Sequence, residues 1–180
     1  MTSGGAPRGV DAVVIAGLGS EYRHDDAVGA IVSEQAARAT GAQRVGPLVD
    51  PLDLLGHWDD AALAIVVDAI HSGAEPGTVR VMHLAPSGRR ADGHEPLPHE
   101  PGPVPRPRGR DRVTSSHGVD IVGVHRLARA VGHAPAHVVV VGVEGEDFSL
   151  GVGLSPRVEA AVPRALRAVL ALVEEATSCA

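Results

Sequence analysis

The sequence contains no lysine, and its aromatic side chains are limited to Tyr22, Trp58 and Phe148. Without aromatic bulk, a core has to be packed from Val, Leu, Ile and Ala, which suits a parallel sheet covered by helices on both faces. With no lysine, all 16 basic residues are arginines, set against 22 acids for a net charge of -6. That balance speaks against a nucleic-acid footprint. The single cysteine, Cys179, excludes an internal disulfide framework and a cysteine-rich zinc site. No apolar run reaches the roughly 18 residues that cross a bilayer, and "MTSGGAPRGVDA" lacks the charged start and apolar centre of a signal peptide. These absences lead us to expect a cytoplasmic protein with neither membrane nor nucleic acid as partner.

What is present is enough for a core. A chain of 180 residues, 44% hydrophobic, fits a single domain over residues 1–180. A flexible leader is expected over 1–11, and a long Pro/Gly/Arg-rich loop over about 85–112. Apolar β-branched runs read as strands at Ala12–Ala16, Arg44–Val49, "AALAIVVDAI" and "HVVVVGVEG". "PGTVRVMHL" alternates with period two, as a half-exposed and antiparallel edge strand does. Helices are expected from Asp26 to Ala39, with Val28, Ile31, Val32 and Gln35 facing inward and Gly41 as the stop. A short helix follows Asp50 as cap and Pro51. Another runs from His117 or Gly118 to Val131, and a long one starts after Ser155 as cap, with Pro163 as a point of kinking. This alternation predicts an α/β fold: a three-layer α/β/α sandwich around a five-stranded, mostly parallel twisted sheet with one antiparallel edge strand.

Ligands of such sheets bind beyond the carboxyl ends of the strands. Three chemically capable residues fall there in the predicted topology: Asp26 after the first strand, Asp68 closing the third, and His117 opening the later helix. Two carboxylates and an imidazole suit a borderline divalent ion such as nickel or zinc. Blander roles remain open for each. Asp25 reads as a helix cap, Asp26 as solvated or functional, Asp68 as a solvated strand end, and His117 as an ordinary helix-start residue. The other histidines show no HxH or HExxH spacing and read as surface or loop residues, with His24 and His71 nearest the rim.

Ser115, Ser116 and His117 are adjacent, but there is no GxSxG elbow for a serine nucleophile. Gly17-Leu-Gly19 lacks the third glycine of a dinucleotide loop and is followed by acids that repel phosphate. No nucleotide cofactor is therefore expected.

Taken in order, "VVIAGLGSEYRHDDAVG", "LAIVVDAI", "TSSHGVD" and "VVVVGVEGEDFSLGVGLSPRVEAAV" resemble the hydrogenase maturation endopeptidases. The resemblance implies an aspartyl-type endopeptidase that removes a C-terminal peptide from the large-subunit precursor of a nickel–iron hydrogenase. It also implies that the metal-binding and catalytic set is Asp26, Asp68 and His117, with nickel supplied by the substrate precursor. A catalytically silent nickel-sensing maturation chaperone on the same fold is the alternative. Two departures from the family pattern, Ser20 where Asn is usual and the Asp50, Pro51 and Asp53 segment before Leu54 and Leu55, bear on recognition of the substrate's tail. The long loop before Thr114 is expected to act as an arm that holds the partner.

Overall fold

A computed structural model describes residues 9–59, 61–84, 114–115 and 121–178, with only the backbone at 11, 114 and 115. In chain order the elements are β1 (Val13–Leu18), α1 (Val28–Thr40), β2 (Gln43–Leu48), β3 (Leu63–His71), β4 (Val79–Leu84), β5 (Thr114–Ser115), α2 (Ile121–Val131), β6 (His137–Glu144) and α3 (Pro156–Ser178). The strand order is β2-β1-β3-β6-β4. Neighbours are parallel except for β4, which runs antiparallel to β6 at the sheet edge. The expected five strands are therefore present. The two residues of β5 add a sixth, antiparallel to the end of β3 and too short to carry a periodic signal.

The apolar runs are buried because they lie between layers. On one face Ile15, Ile65, Val67, Val139 and Val141 pack under Val28, Val32 and Ala36 of α1 and Val158, Ala165 and Val169 of α3. On the other, Val14, Ala16, Ala64, Val66, Val138 and Val140 pack with Leu54, Trp58 and the α2 residues Ile121, Val124 and Ala128. No helix among the described residues is long and apolar enough to cross a membrane.

One close approach sets the position of the site. A Cβ on Gly29 would lie 2.1 Å from the Leu18 carbonyl oxygen and 2.6 Å from that of Val67. Only glycine lets the first turn of α1 sit directly against the carboxyl ends of β1 and β3. The expected stops and caps are also in place: Gly41 ends α1 in the left-handed region at φ 78°, and Asp50 accepts the Leu52 N–H at 2.9 Å with Pro51 at the head of a short 3-10 helix.

Several expectations need correction. The leader does not run to residue 11, because Gly9–Ala12 forms a 3-10 turn and Val10 packs on the core. α1 begins at Val28, after a separate 3-10 turn over His24–Ala27. Its inner face uses Ser33 and Ala36, while Gln35 is exposed, since the helix rolls to bring Gly29 against the sheet. Asp68 does not close β3, which continues to His71 through pairing with β6 and β5. His125, read as a surface or loop residue, is buried on α2, where burial and then the Arg129 charge push its pKa down. Pro163 lies within a continuous α3. The loop over 85–112, the arm assigned to it, and the start of the helix at His117 or Gly118 lie outside the described residues.

Candidate functional site

Successive side chains on a strand point to opposite faces, so Asp68 shares the α2-side face of Ala64 and Val66. It pairs in register with Gly142 of β6 and is fully buried. A solvated strand end is thus ruled out, because the backbone beyond Asp68 stays inside the sheet. Neither carboxyl oxygen has a hydrogen-bond partner among the described residues. Burial, and then the charge of Asp26, push the Asp68 pKa from 3.8 up to about 7, with the Ala69 amide pulling weakly the other way without reaching hydrogen-bond geometry.

Asp26 sits in the 3-10 turn and is 1% exposed, so it is buried and not solvated. The Ser20 N–H donates to its Oδ2 at 2.8 Å, and its own N–H donates to the Arg23 carbonyl at 3.1 Å. The loop wraps tightly: Gly19 has φ 113° and a Cβ there would lie 1.9 Å from the Asp26 carbonyl oxygen. Because Ser20 holds Asp26 through its backbone amide, the serine at this position leaves that contact intact.

Asp26 and Asp68, 42 positions apart in the chain, are thereby close enough for their charges to interact. His117 lies outside the described residues, four positions before the first residue of α2. Among the described residues, no group of three or more His, Cys, Asp or Glu side chains is gathered in a form that could hold a metal ion. The described part of the candidate site is therefore a pair of buried acids at the carboxyl ends of β1 and β3.

Asp25 does not cap α1. It is fully buried and faces the loop after β6. Its Oδ2 accepts the N–H groups of Glu146 and Asp147, each at 2.9 Å, and the Ser155 hydroxyl at 3.0 Å. Its Oδ1 accepts the Ser155 N–H at 2.7 Å. The hydroxyl expected to cap α3 thus donates to Asp25, while the Ser155 carbonyl accepts the Glu159 N–H at 2.9 Å. His24, at φ 44°, places its Nδ1 3.0 Å from the Gly153 carbonyl, and His71 meets the Phe148 ring edge-on at 6.2 Å. Sequence reasoning missed Glu144, 1% exposed at the end of β6, whose oxygens accept the N–H groups of Ser72 and Gly73 and the Ser72 hydroxyl. An acid closing "VVVVGV" carried the same signal as Asp68 after "LAIVV".

Comparison with known proteins leads to one group. A sequence model of the hydrogenase maturation protease family, HycI, matches residues 106–172, a stretch that includes His117, β6 and most of α3. Among solved structures, the hydrogenase maturating endopeptidase HybD from E. coli is 22% identical, with a TM-score of 0.67 over 91% of this chain and 92% of that one. The [NiFe] hydrogenase maturation protease HybD from Thermococcus kodakarensis is 22% identical, with a TM-score of 0.65 over 89% and 98%. HycI from Thermococcus kodakarensis is 21% identical, with a TM-score of 0.53 over 90% of each. No curated protein sequence matches significantly. The fold is thus that of the HybD and HycI proteins. The family resemblance read from the sequence motifs is borne out: the matching family and the structural neighbours are hydrogenase maturation endopeptidases.

Proposed function

We propose that this chain is a cytoplasmic endopeptidase that removes a C-terminal peptide from the nickel-loaded large-subunit precursor of a nickel–iron hydrogenase. The observation that carries the proposal is Asp68: a fully buried acid without a hydrogen-bond partner among the described residues, beside a second buried acid. A lone buried carboxyl is costly, and two adjacent ones cost more. The cost is offset when a cation arrives, because the ion replaces the proton and both carboxylates become ligands.

In this reading nickel belongs to the substrate. Asp26 and Asp68, with His117 as the third expected ligand, meet the ion and so fix the precursor's tail against the carboxyl ends of β1 and β3. Hydrolysis adds water across one amide bond, leaving a new carboxylate on the mature subunit and an amine on the released peptide. The ion polarises the carbonyl or the water, and an acid beside it orients that water. Specificity for loaded precursor follows, because without the cation Asp68 keeps a proton in place of a ligand and the pair of acids has no ion to hold.

The test is the intact mass of the precursor after incubation with this protein, with nickel-free precursor in parallel. Loss of a short C-terminal peptide in the loaded sample alone is the expected result. A stable complex with unchanged mass would replace the peptidase by a nickel-sensing chaperone.

A further inference from the structure

His24 opens the 3-10 turn His24–Ala27, which also carries Asp25 and Asp26. Among the described residues it is the one non-glycine with a positive φ, at 44°. The left-handed conformation is unfavourable for a residue with a Cβ. Such a residue persists where its surroundings over-determine it, and these places cluster at functional sites.

The surroundings of His24 do hold it. Its N–H donates to the Gly151 carbonyl at 3.2 Å, and its ring Nδ1 lies 3.0 Å from the Gly153 carbonyl oxygen. A carbonyl only accepts, so Nδ1 carries the hydrogen. The far edge of the ring fills the space that a side chain at 151 would need: a Cβ on Gly151 would lie 2.1 Å from Nε2 and 2.5 Å from Cε1. The seat is itself fixed, since the Gly151 N–H donates to the Tyr22 carbonyl at 2.9 Å and Ser155 is bound to Asp25.

The conformation at His24 acts two residues further on. The Arg23 carbonyl accepts the Asp26 N–H at 3.1 Å, so His24 and Asp25 are the two central residues of this turn, and their dihedral angles set the direction in which the chain leaves it. Asp25 is taken up by the loop after β6, through its own N–H on the Asp147 carbonyl at 3.0 Å and through its carboxylate. Asp26 is delivered to the loop after β1, where its Oδ2 accepts the Ser20 N–H, and close enough to Asp68 for the charges to interact. The turn thus sends two adjacent acids to two different destinations.

We propose that His24 is a positioning residue for cleavage, acting through Asp26. The imidazole, seated on Gly151 and bonded to Gly153, holds the left-handed backbone that directs the Asp26 carboxylate toward Ser20 and Asp68. The role in cleavage rests on the peptidase reading above, whereas the hold on Asp26 does not.

Three variants and two readouts test it. Among the described residues the Ser20 N–H has Asp26 as its acceptor, so hydrogen–deuterium exchange at Ser20 reports whether that carboxylate is in place, with Asp26→Ala as the reference for an unbonded amide. The second readout is kcat/KM on nickel-loaded precursor. Glycine adopts positive φ freely, alanine less so, and a β-branched residue least. Processing is therefore expected within about threefold of wild type in His24→Gly, about tenfold lower in His24→Ala and about a hundredfold lower in His24→Val, with Ser20 exchange quickening in the same order. A ring that merely fills space predicts the reverse order, because valine is the nearest of the three to imidazole in bulk and glycine the furthest. The reverse order, equal losses in all three, or wild-type behaviour in all three overturns the proposal. Ser20 exchange that follows the expected order while processing does not overturns the role in cleavage. A wild-type protein that never cleaves refutes the peptidase reading, and the order of Ser20 exchange then decides the hold on Asp26 by itself.

Discussion

β3 and β6 run side by side, and each carries one fully buried acid near its carboxyl end under opposite conditions. Glu144 accepts two backbone N–H groups at 2.7 and 2.9 Å and the Ser72 hydroxyl at 2.7 Å. Asp68, paired two positions earlier in the ladder with Gly142, has no such partner among the described residues and faces a second acid. Hydrogen bonds from N–H groups stabilise the charged form of a buried carboxylate, whereas burial alone favours the neutral form. Glu144 therefore fastens the β3–β4 turn to β6. Asp68 does nothing for the fold that a neutral side chain of its size would not do better. The difference separates an acid kept for structure from one kept for chemistry.

The largest expected effect comes from neutralising the second kind. Asp68→Asn should lower processing of nickel-loaded precursor by at least about a hundredfold, since even residues that only support a metal ligand are worth about 10–100-fold. Its stability should move the other way. The Asp68 pKa is raised in the folded protein from 3.8 to about 7, so the folded state holds a proton that the unfolded chain has released. Stability from this group is complete below about pH 4 and is lost as pH rises to about 7. The span amounts to roughly 4 kcal/mol at about 1.4 kcal/mol per pH unit. Urea denaturation from pH 4 to 8 should show this decline in the wild type and a flatter profile in Asp68→Asn. A variant less stable than wild type at pH 8 would show that Asp68 is as well satisfied as Glu144.

A smaller effect is expected at Asp25, where the isosteric amide cannot fit. Oδ2 receives the Glu146 and Asp147 N–H groups and the Ser155 hydroxyl, while Oδ1 receives the Ser155 N–H. Whichever way an asparagine is turned, its NH2 faces a backbone N–H, so at least one buried donor loses its partner. Asp25→Asn should cost about 2–3 kcal/mol, read as a shift in the urea midpoint. The loop carrying Leu150 and Val152 should also exchange faster. A cost below about 0.5 kcal/mol would place Asp25 with ordinary surface residues.

The sequence made the layers legible because strands buried on both faces are written as uninterrupted apolar runs, and β4 stood apart by its alternation. It also exposed Asp68, since an acid behind "LAIVV" needs a reason. The identical argument applied to Glu144 behind "VVVVGV", and the two differ only in their long-range partners: the Ser72 and Gly73 amides come from a turn 71 or 72 residues away. Asp25 was illegible for the same reason, its partners being 121 to 130 residues distant. Local propensity suggested a cap, and a long-range loop claimed the side chain instead. Gln35 was misjudged because helical spacing cannot show that Gly29 must lie against Leu18 and Val67, which rotates the inward face toward Ser33 and Ala36.

The smallest effect should come from Glu144→Gln, and its smallness is informative. Oε1 of Glu144 takes both backbone donors, from Ser72 and Gly73, while Oε2 takes the Ser72 hydroxyl alone. A glutamine can keep its oxygen on the two N–H groups and turn its NH2 toward the Ser72 oxygen, because a hydroxyl rotates to accept where it had donated. No buried donor is orphaned. What is lost is the extra strength of bonds to a charged acceptor, so the cost should be about 1 kcal/mol. Precursor processing should remain within about twofold of wild type, a difference of roughly 0.4 kcal/mol in the barrier. The two amide substitutions, at Glu144 and Asp25, remove the same charge from equally buried sites, so a larger loss at Asp25 measures the mismatch of donors and not the charge. Equal losses would mean that charge dominates at both positions, and the distinction between them would then rest on Asp68 alone.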